Sequence, residues 1–373
     1  MAIEIVRDAE KWRPAVEAFN ARMRAGGQPW GHYVDPIDRW LPERPGAPTW
    51  REPYLAVEDG QTVRGGFVLK PQPYWLRGEL RTVSDYQGPV SEGVIEPRHA
   101  LLAVRMLRDM QRRQPLLYSW GHGGAEQPML KLVRSLGFWI HETPLCVRIL
   151  RPARFLHRNA WLRTTAARRF ALDALAASGA GWLGLHALHG ALALRSLGAR
   201  GASAEEVPRF GPWADELWER WRSAYALVAQ RDSGVLNSLL PEGAWPPGIR
   251  LRVRRGEETI GWVVVMHTPM QGDARFGDLH VGSIIDCFGS PANAAAVLWP
   301  AVQFLRARGV DLIVSNQAHP DWVAGFERCG FLALAGRRLY AASPALREAL
   351  EPVADSVRGI HLTNLDGHGP LAL

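Results

Sequence analysis

The sequence predicts an α/β protein in which one mixed unit of strands and helices occurs twice along the chain. Three features support this: an alternating segment with a glycine turn, a strand ending in Asp-x-x-Gly, and an amphipathic stretch ending in Gly-Phe. All three recur in the same order. The pairs are LAVEDGQTVRGGFVLK (55–70) and LRVRRGEETIGWVVVM (251–266), VSDYQG (83–88) and IIDCFG (284–289), and VRSLGF (133–138) and FERCGF (326–331).

Length and composition are those of a folded protein with two domains. The chain has 373 residues, a net charge of +7, 47% hydrophobic residues and 16 tryptophans. Its three cysteines are widely spaced and show no metal-binding pattern, which indicates a reducing compartment. The start, MAIEIVRDAEKW, has no pattern of a secretion signal, so we expect a cytoplasmic protein without a metal.

Each copy is predicted to run from helices through a β-hairpin to a long strand, and then helix, strand, helix and strand. The helices after the long strands extend from Pro97 to about Arg113 and from Pro291 to about Arg308. Apolar strands follow at 115–120 and 311–316. In the second of these helices, the residues expected to be buried are Ala294, Val297, Leu298, Ala301, Val302 and Leu305.

The recurring Gly-Phe is expected at a helix end. Gly137 and Gly330 would each lie just past a helix, where a positive φ is least costly for glycine, and the phenylalanine would begin the next strand. The domain organisation predicted from these elements is 1–148 and 208–345 for the two copies, 149–207 for a helical connector and 346–373 for a C-terminal tail.

With these elements in this order, the chain resembles a tandem of the GCN5-related N-acetyltransferase (GNAT) superfamily. The closest match is GSPANAAAVLWPAVQFLRARGVDLIVSNQAHPDWVAGFERCGF (289–331). The resemblance implies two domains, each a mixed central sheet flanked by helices, and tandem relatives include Fem-type aminoacyl transferases and N-myristoyltransferase. In the superfamily, the loop after the fourth strand binds the pyrophosphate of acyl-CoA.

The second copy is the predicted site of the acyl donor, either acyl-CoA or an acyl carrier thioester. Small residues at the start of its helix would bring free N–H groups to an anion at the positive end of the helix dipole. In the first copy, Glu92 and Glu96 beside the equivalent turn would repel a phosphate. The predicted donor-binding residues are Gly289, Ser290, Ala292, Asn293 and Ala294.

Catalytic and acceptor-binding residues are expected at the ends of the central strands. Asp286 could accept the proton of an attacking amine, and Asn316 lies where a thioester carbonyl would pass. Both also fit an ordinary turn or helix cap. The first copy is predicted to bind the acceptor, and its candidate residues are Asp85, Tyr86, His122 and Gly123.

The connector is unusually basic. Seven arginines and no acidic residue lie between Thr143 and Leu172, and Ala174–Leu194 has no charged side chain. Its glycines and alanines favour a buried helix or helical pair over a membrane span, so we expect at most a peripheral membrane contact.

The predicted function is N-acyl transfer from a CoA-type or carrier-bound thioester to an amine, such as an amino sugar or amino acid derivative. The partners would be this small molecule and an acyl carrier protein. Two alternatives remain. One is Fem-like transfer from aminoacyl-tRNA, the one case in which nucleic acid is expected. The other is a non-catalytic tandem that binds a ligand or partner, because the phosphate-loop motif and the usual tyrosine (here Phe326 and Leu132) are missing.

Overall fold

A mixed β-sheet of 14 strands, flanked by helices, forms the centre of the protein. The computed structural model describes residues 2–32, 40–121, 128–179, 183–184, 201–243 and 247–367. Apolar residues alternate with polar ones along the outer strands, whereas the strands at 117–120, 280–289 and 312–316 are buried on both faces, as a sheet covered on two sides requires.

The first copy and the connector follow the predicted order of elements. The strands of the first copy are β1 (Ile3–Arg7), β2 (Glu52–Glu58), β3 (Thr62–Leu76), β4 (Glu79–Ser91), β5 (Leu117–Trp120) and β6 (Trp139–Ile149). Its described helices are α1 (Arg13–Ala25), α2 (Leu102–Arg113) and α3 (Pro128–Ser135), and the connector holds α4 (Pro152–Arg158) and α5 (Ala166–Ala177).

The second copy repeats this order and adds elements at its C-terminal end. Its strands are β7 (Ser203–Val207), β8 (Leu227–Ala229), β9 (Ile249–Arg255), β10 (Glu258–Pro269), β11 (His280–Gly289), β12 (Leu312–Asn316), β13 (Leu332–Ala342) and β14 (Ile360–His361). Its described helices are α6 (Pro212–Trp221), α7 (Ser233–Leu239), α8 (Ala294–Ala307), α9 (Pro320–Arg328), α10 (Pro344–Ala349) and α11 (Val353–Ser356).

The sequence placed β7 in the connector, but the structure places it in the second copy. β7 pairs with β9 in the antiparallel sense, as β1 pairs with β2 in the first copy. The alternation of its five residues is too short to be distinguished from the adjoining chain, so only its partner identifies it as a strand.

Both Gly-Phe junctions have the expected conformation. Gly137 and Gly330 have φ of 80° and 83° and lie just past α3 and α9. The phenylalanines that follow, Phe138 and Phe331, are buried and lead into β6 and β13. The prediction of a helix terminator followed by a strand is therefore confirmed in both copies.

The long helices begin later than predicted, although their buried faces are as expected. Short 3₁₀ turns at Pro97–His99 and Pro291–Asn293 precede α2 and α8. The six apolar residues predicted for the buried stripe of α8 are all in the core.

The two copies exchange their last strands. The sheet order at the centre is β5-β13-β6-β12, so β13 of the second copy pairs with β5 of the first, and β6 of the first pairs with β12 of the second. All of these pairings are antiparallel, and β6 also pairs with β13. One continuous sheet therefore joins the two copies. In each copy, two parallel strands (β4 and β5, β11 and β12) pair over only part of their length.

The connector differs from the expected buried helical pair. Helix α5 has no buried residue, although Leu156 on α4 is buried. Of the uncharged stretch 174–194, the structure describes residues 174–179 and 183–184. Among the described helices, none is long and apolar enough to cross a membrane.

Candidate functional site

The C-terminal segment, defined here as residues 360–367, lies between the two copies. Residues Ile360 to Asp366 are all buried, and three of them (Ile360, Leu362 and Leu365) belong to the hydrophobic core. β14 at the start of the segment pairs with β8, which in turn pairs with β3 of the first copy. The sequence left the location of this tail open, and the structure shows that it is an interior element.

In the second copy, the segment fills the opening between β11 and β12. The parallel ladder between these strands ends at Ser283 and Val314. Beyond it, His361 Nε2 lies 2.8 Å from the carbonyl oxygen of Cys287, and the N–H of Ala318 donates to Leu362 O at 3.3 Å. The segment thus contacts both strands where they diverge.

In the first copy, the end of the same segment contacts both strands of the equivalent pair. The ladder between β4 and β5 ends at Asp85 and Tyr118. Tyr118 Oη donates to Asp366 O at 2.6 Å, and Gln87 Nε2 donates to Gly367 O at 3.1 Å. One stretch of chain therefore occupies the divergent strand ends of both copies.

A buried ion-pair network connects the second copy to this segment. Arg231 Nη2 donates to Asp286 Oδ1 at 2.8 Å and to Asp366 Oδ2 at 2.7 Å, and all three side chains are almost fully buried. Thr363 Oγ1 donates to Asp286 Oδ1 at 2.8 Å. Burial acts to lower the pKa of Arg231, but attraction to the two carboxylates outweighs it and raises that pKa.

In the first copy, the buried cation near the corresponding aspartate, Asp85, is a lysine from a different element. Lys70 lies opposite Asp85 in the β3–β4 pairing, and its Nζ donates to the carbonyls of Leu365, Asp366 and Gly367 at 3.2, 2.7 and 2.9 Å. Burial raises the pKa of Asp85 to about 7, against the attraction of Lys70, and burial lowers the pKa of Lys70 to about 8. The first copy thus has a buried pair whose charge changes near neutral pH.

The junction of β11 and α8 is tightly constrained. A Cβ at Gly289 would lie 2.6 Å from Ile260 O, so only glycine fits there. The N–H of Asn293 donates to Ser290 O, and that of Ala294 donates to Pro291 O. The N–H groups of two predicted donor-binding residues, Asn293 and Ala294, are thus bonded within the turn, and Ala292 is exposed.

Asp286 does not have the accessibility expected of a proton acceptor. Its Oδ1 receives donors from Arg231 and Thr363, and its Oδ2 receives Trp262 Nε1 at 3.1 Å. The side chain is 0% exposed. A general base must reach the substrate, so this geometry does not support the predicted role, and the carboxylate acts as an internal ion-pair partner.

The other predicted residues are only partly brought together. Asn316 is buried and donates to Asn364 Oδ1 of the C-terminal segment at 3.3 Å. Asp85 faces the same segment, whereas Tyr86 lies on the opposite face and packs edge-on against Phe138, which corrects its predicted role in acceptor binding. The remaining two, His122 and Gly123, lie outside the described residues.

In the first copy, Glu92 was expected to repel a phosphate at the turn, but its surroundings reduce that repulsion. Glu92 accepts from Arg22 Nε at 2.6 Å and from Arg64 Nη1 at 2.8 Å, and these arginines hold its pKa below the usual range against the effect of burial. Its charge is therefore neutralised locally, so Glu92 is a weak argument against an anion at this turn.

Sequence reasoning missed Arg231, Lys70 and Asp366. A signal existed for Lys70, because only three of the 44 basic residues are lysines and Lys70 follows the apolar run of β3. For Arg231 and Asp366 no local pattern exists, since their partners lie 55 and 135 residues away in sequence. Among the described residues, no group of three or more His, Cys, Asp or Glu could hold a metal ion.

The sequence matches no protein-family model and no curated protein. Its structure is similar to a GCN5-related N-acetyltransferase from Anabaena variabilis, with a TM-score of 0.55 at 10% identity over 94% of this chain and 75% of that one. The protein has a GNAT-type fold. Saccharomyces cerevisiae N-myristoyltransferase with bound myristoyl-CoA and inhibitors is also similar, with a TM-score of 0.50 at 11% identity over 91% and 79% of the two chains.

Proposed function

We propose that this protein transfers an acyl group from a CoA-type or carrier-bound thioester to an amine. The observation that carries this proposal is the GNAT-type fold, shared with an N-acetyltransferase and an N-myristoyltransferase. In the reaction, the amine nitrogen attacks the thioester carbonyl carbon, the C–S bond breaks, and the products are an amide and a free thiol. An amino sugar or amino acid derivative is the proposed acceptor.

The donor is proposed to bind the second copy at the start of α8. No acidic residue lies between Gly289 and Trp299, so the positive end of this helix has no local carboxylate competing with a phosphate. Ala292 is exposed at the turn, and the side chain of Ser290 caps no N–H group. Small side chains there would let the donor's pyrophosphate approach the backbone.

Charge substitutions at the two equivalent turns test this location. Ala292→Glu adds a carboxylate to the proposed phosphate site, which should weaken binding of acyl-CoA by on the order of 1 kcal/mol, or about fivefold. Val94→Glu is a matched control because Val94 is 58% exposed beside the turn of the first copy. Calorimetric titration should show weakening for Ala292→Glu alone. Weakening for Val94→Glu alone would assign the donor to the first copy.

Turnover is tested with purified protein, a panel of acyl-CoA thioesters and pooled amines. We expect mass spectrometry to detect an amide product together with a free thiol. The amine reacts in its unprotonated form, so product formation should increase with pH up to the pKa of the amine. Binding of the donor without any amide product would rule out the proposed reaction.

A non-catalytic binding function is the second candidate, and one observation favours it. The C-terminal segment contacts both strands at each divergence, where a thioester would have to pass between them. Displacement of this segment would expose its three core side chains (Ile360, Leu362 and Leu365) and leave Arg231 without Asp366. The two candidates predict different outcomes in the turnover experiment, because a binding protein retains donor affinity and yields no amide.

A further inference from the structure

Helix α5 presents an apolar face to solvent. None of its residues is buried, and the side chain of Phe170 is 78% exposed. At 100° per residue, the apolar residues on its outward face form an arc of about half the helix circumference. These residues, all exposed, are Ala166, Ala167, Phe170, Ala171, Ala174, Leu175 and Ala177.

Polar contacts of Asp173 join α5 to the chain on and after α4. Asp173 accepts from Arg163 at 2.6 and 2.9 Å and lies 2.9 Å from Nδ1 of His157, which belongs to α4. Attraction to Arg163 lowers the pKa of Asp173 to about 2, so the carboxylate remains charged. These contacts hold α5 against α4, while Phe170 remains 78% exposed.

Exposed basic and aromatic side chains surround this face. Arg168 and Arg169 lie on α5 itself, and Arg158 ends α4; all three are exposed. Trp161, in the segment between α4 and α5, is 58% exposed. Its backbone N–H donates to Arg275 O at 3.1 Å. Arg163 is paired with Asp173, so the positive charge beside the face comes from the three exposed arginines, Arg158, Arg168 and Arg169.

We propose that the outward face of α5 docks on an anionic lipid surface. An apolar arc bordered by arginines is the pattern of a helix that lies in the membrane interface, with its apolar side chains in the acyl region and its cations at the headgroups. Trp161 and Phe170 have large aromatic side chains of the kind that anchor such helices. An acidic protein partner would account for the exposed arginines but not for the exposure of both aromatic side chains. The contact is peripheral and independent of the acyl-transfer proposal.

The test uses the full chain and sedimentation with vesicles of phosphatidylcholine, with or without phosphatidylglycerol. Wild type should bind the anionic vesicles, and added salt should weaken that binding. The double variant Phe170→Glu/Leu175→Glu should reduce the bound fraction at least about fivefold. Neither side chain is buried, so the variant should fold; Leu101→Glu is the control, because Leu101 is 74% exposed on the first copy.

Three results would overturn the proposal. The first is absence of binding to anionic vesicles by wild type. The second is an equal loss of binding in the Leu101→Glu control. The third is retention of wild type by an acidic acyl carrier protein, or self-association through Phe170 in sedimentation velocity, with no binding to vesicles.

Discussion

Asp85 and Asp286 occupy equivalent positions in the two copies, yet they have different partners. Asp286 faces Arg231, whose guanidinium is shared with Asp366. Asp85 faces Lys70, whose ammonium donates to backbone carbonyls of the C-terminal segment. Both aspartates are fully buried, so the partner rather than the degree of burial distinguishes the two positions.

The difference shows that corresponding positions in the two copies have different electrostatic surroundings. Asp286 belongs to an ion-pair network with Arg231 and Asp366, in which the cation is a guanidinium that keeps its proton. A buried lysine loses its proton readily, and the pKa values of about 8 for Lys70 and about 7 for Asp85 lie close to neutral pH. The first copy is therefore expected to titrate near neutral pH.

Removal of the arginine should have the largest effect. Arg231→Met leaves Asp286 and Asp366 buried without their cation, and we expect the free energy of unfolding to fall by about 3–5 kcal/mol. Denaturant unfolding measures this change. Arg220→Met is the matched control, because Arg220 pairs with Glu258 on the surface and its loss should cost less than about 1 kcal/mol. Similar losses in both variants would contradict the buried network.

Removal of the lysine should cost less. Lys70→Met removes three charge-assisted bonds to the C-terminal segment, but Asp85 can then take up a proton and avoid an unpaired charge. We expect a loss of about 1–3 kcal/mol in the free energy of unfolding. Lys11→Met, at an exposed site beside Trp12, should have almost no effect. A loss as large as that of Arg231→Met would show that Asp85 stays charged.

The pH dependence of stability should distinguish the two copies further. The pKa of Asp85 is raised by folding from its ordinary value to about 7, so its protonated form stabilises the folded state at low pH. That contribution is lost as the pH rises from about 4 through 7. Relative to Asp85→Asn, wild type should lose on the order of 4 kcal/mol over this range. Unfolding curves at several pH values test this. If wild type instead gains stability relative to Asp85→Asn as the pH rises, the pKa of Asp85 is not raised by folding.

The smallest effects are expected where the copies are alike. Gly137→Ala and Gly330→Ala each place a Cβ at positive φ, which should cost about 1 kcal/mol in thermal or denaturant unfolding. Asparagine tolerates this conformation better, so Gly330→Asn should lose less than Gly330→Ala. Equal stability of the alanine variants and wild type would exclude strain at these helix ends.

Much of the fold could be predicted because it depends on local patterns. The glycine turns, the Asp-x-x-Gly strand ends and the Gly-Phe junctions record backbone conformations set by neighbouring residues. The apolar stripe of α8 follows from helical periodicity. The exchange of β6 and β13 was not predictable in this way, because the alternation within a strand does not specify which distant strand it pairs with.

The candidate site was predicted less completely. Asp85 and Asp286 were found because they end repeated strands, but their partners arrive from distant parts of the chain. Tyr86 shows the same limit, because alternation along a strand places it opposite Asp85 without saying which face is the helix-covered core. From its sequence, α5 is expected to be buried, because composition alone does not show that its apolar residues are exposed.

By itself, the sequence determined the repeat, the order of elements and the backbone conformation at the glycines, because turns, caps and periodicity act over a few residues. Only the tertiary structure decided that the C-terminal segment fills the space between the copies and that Arg231 joins Asp286 to Asp366. Buried charges require partners, and those partners are selected by proximity in the folded chain rather than by proximity in sequence. The corresponding aspartates of the two copies can therefore pair with an arginine in one and lie opposite a titrating lysine in the other.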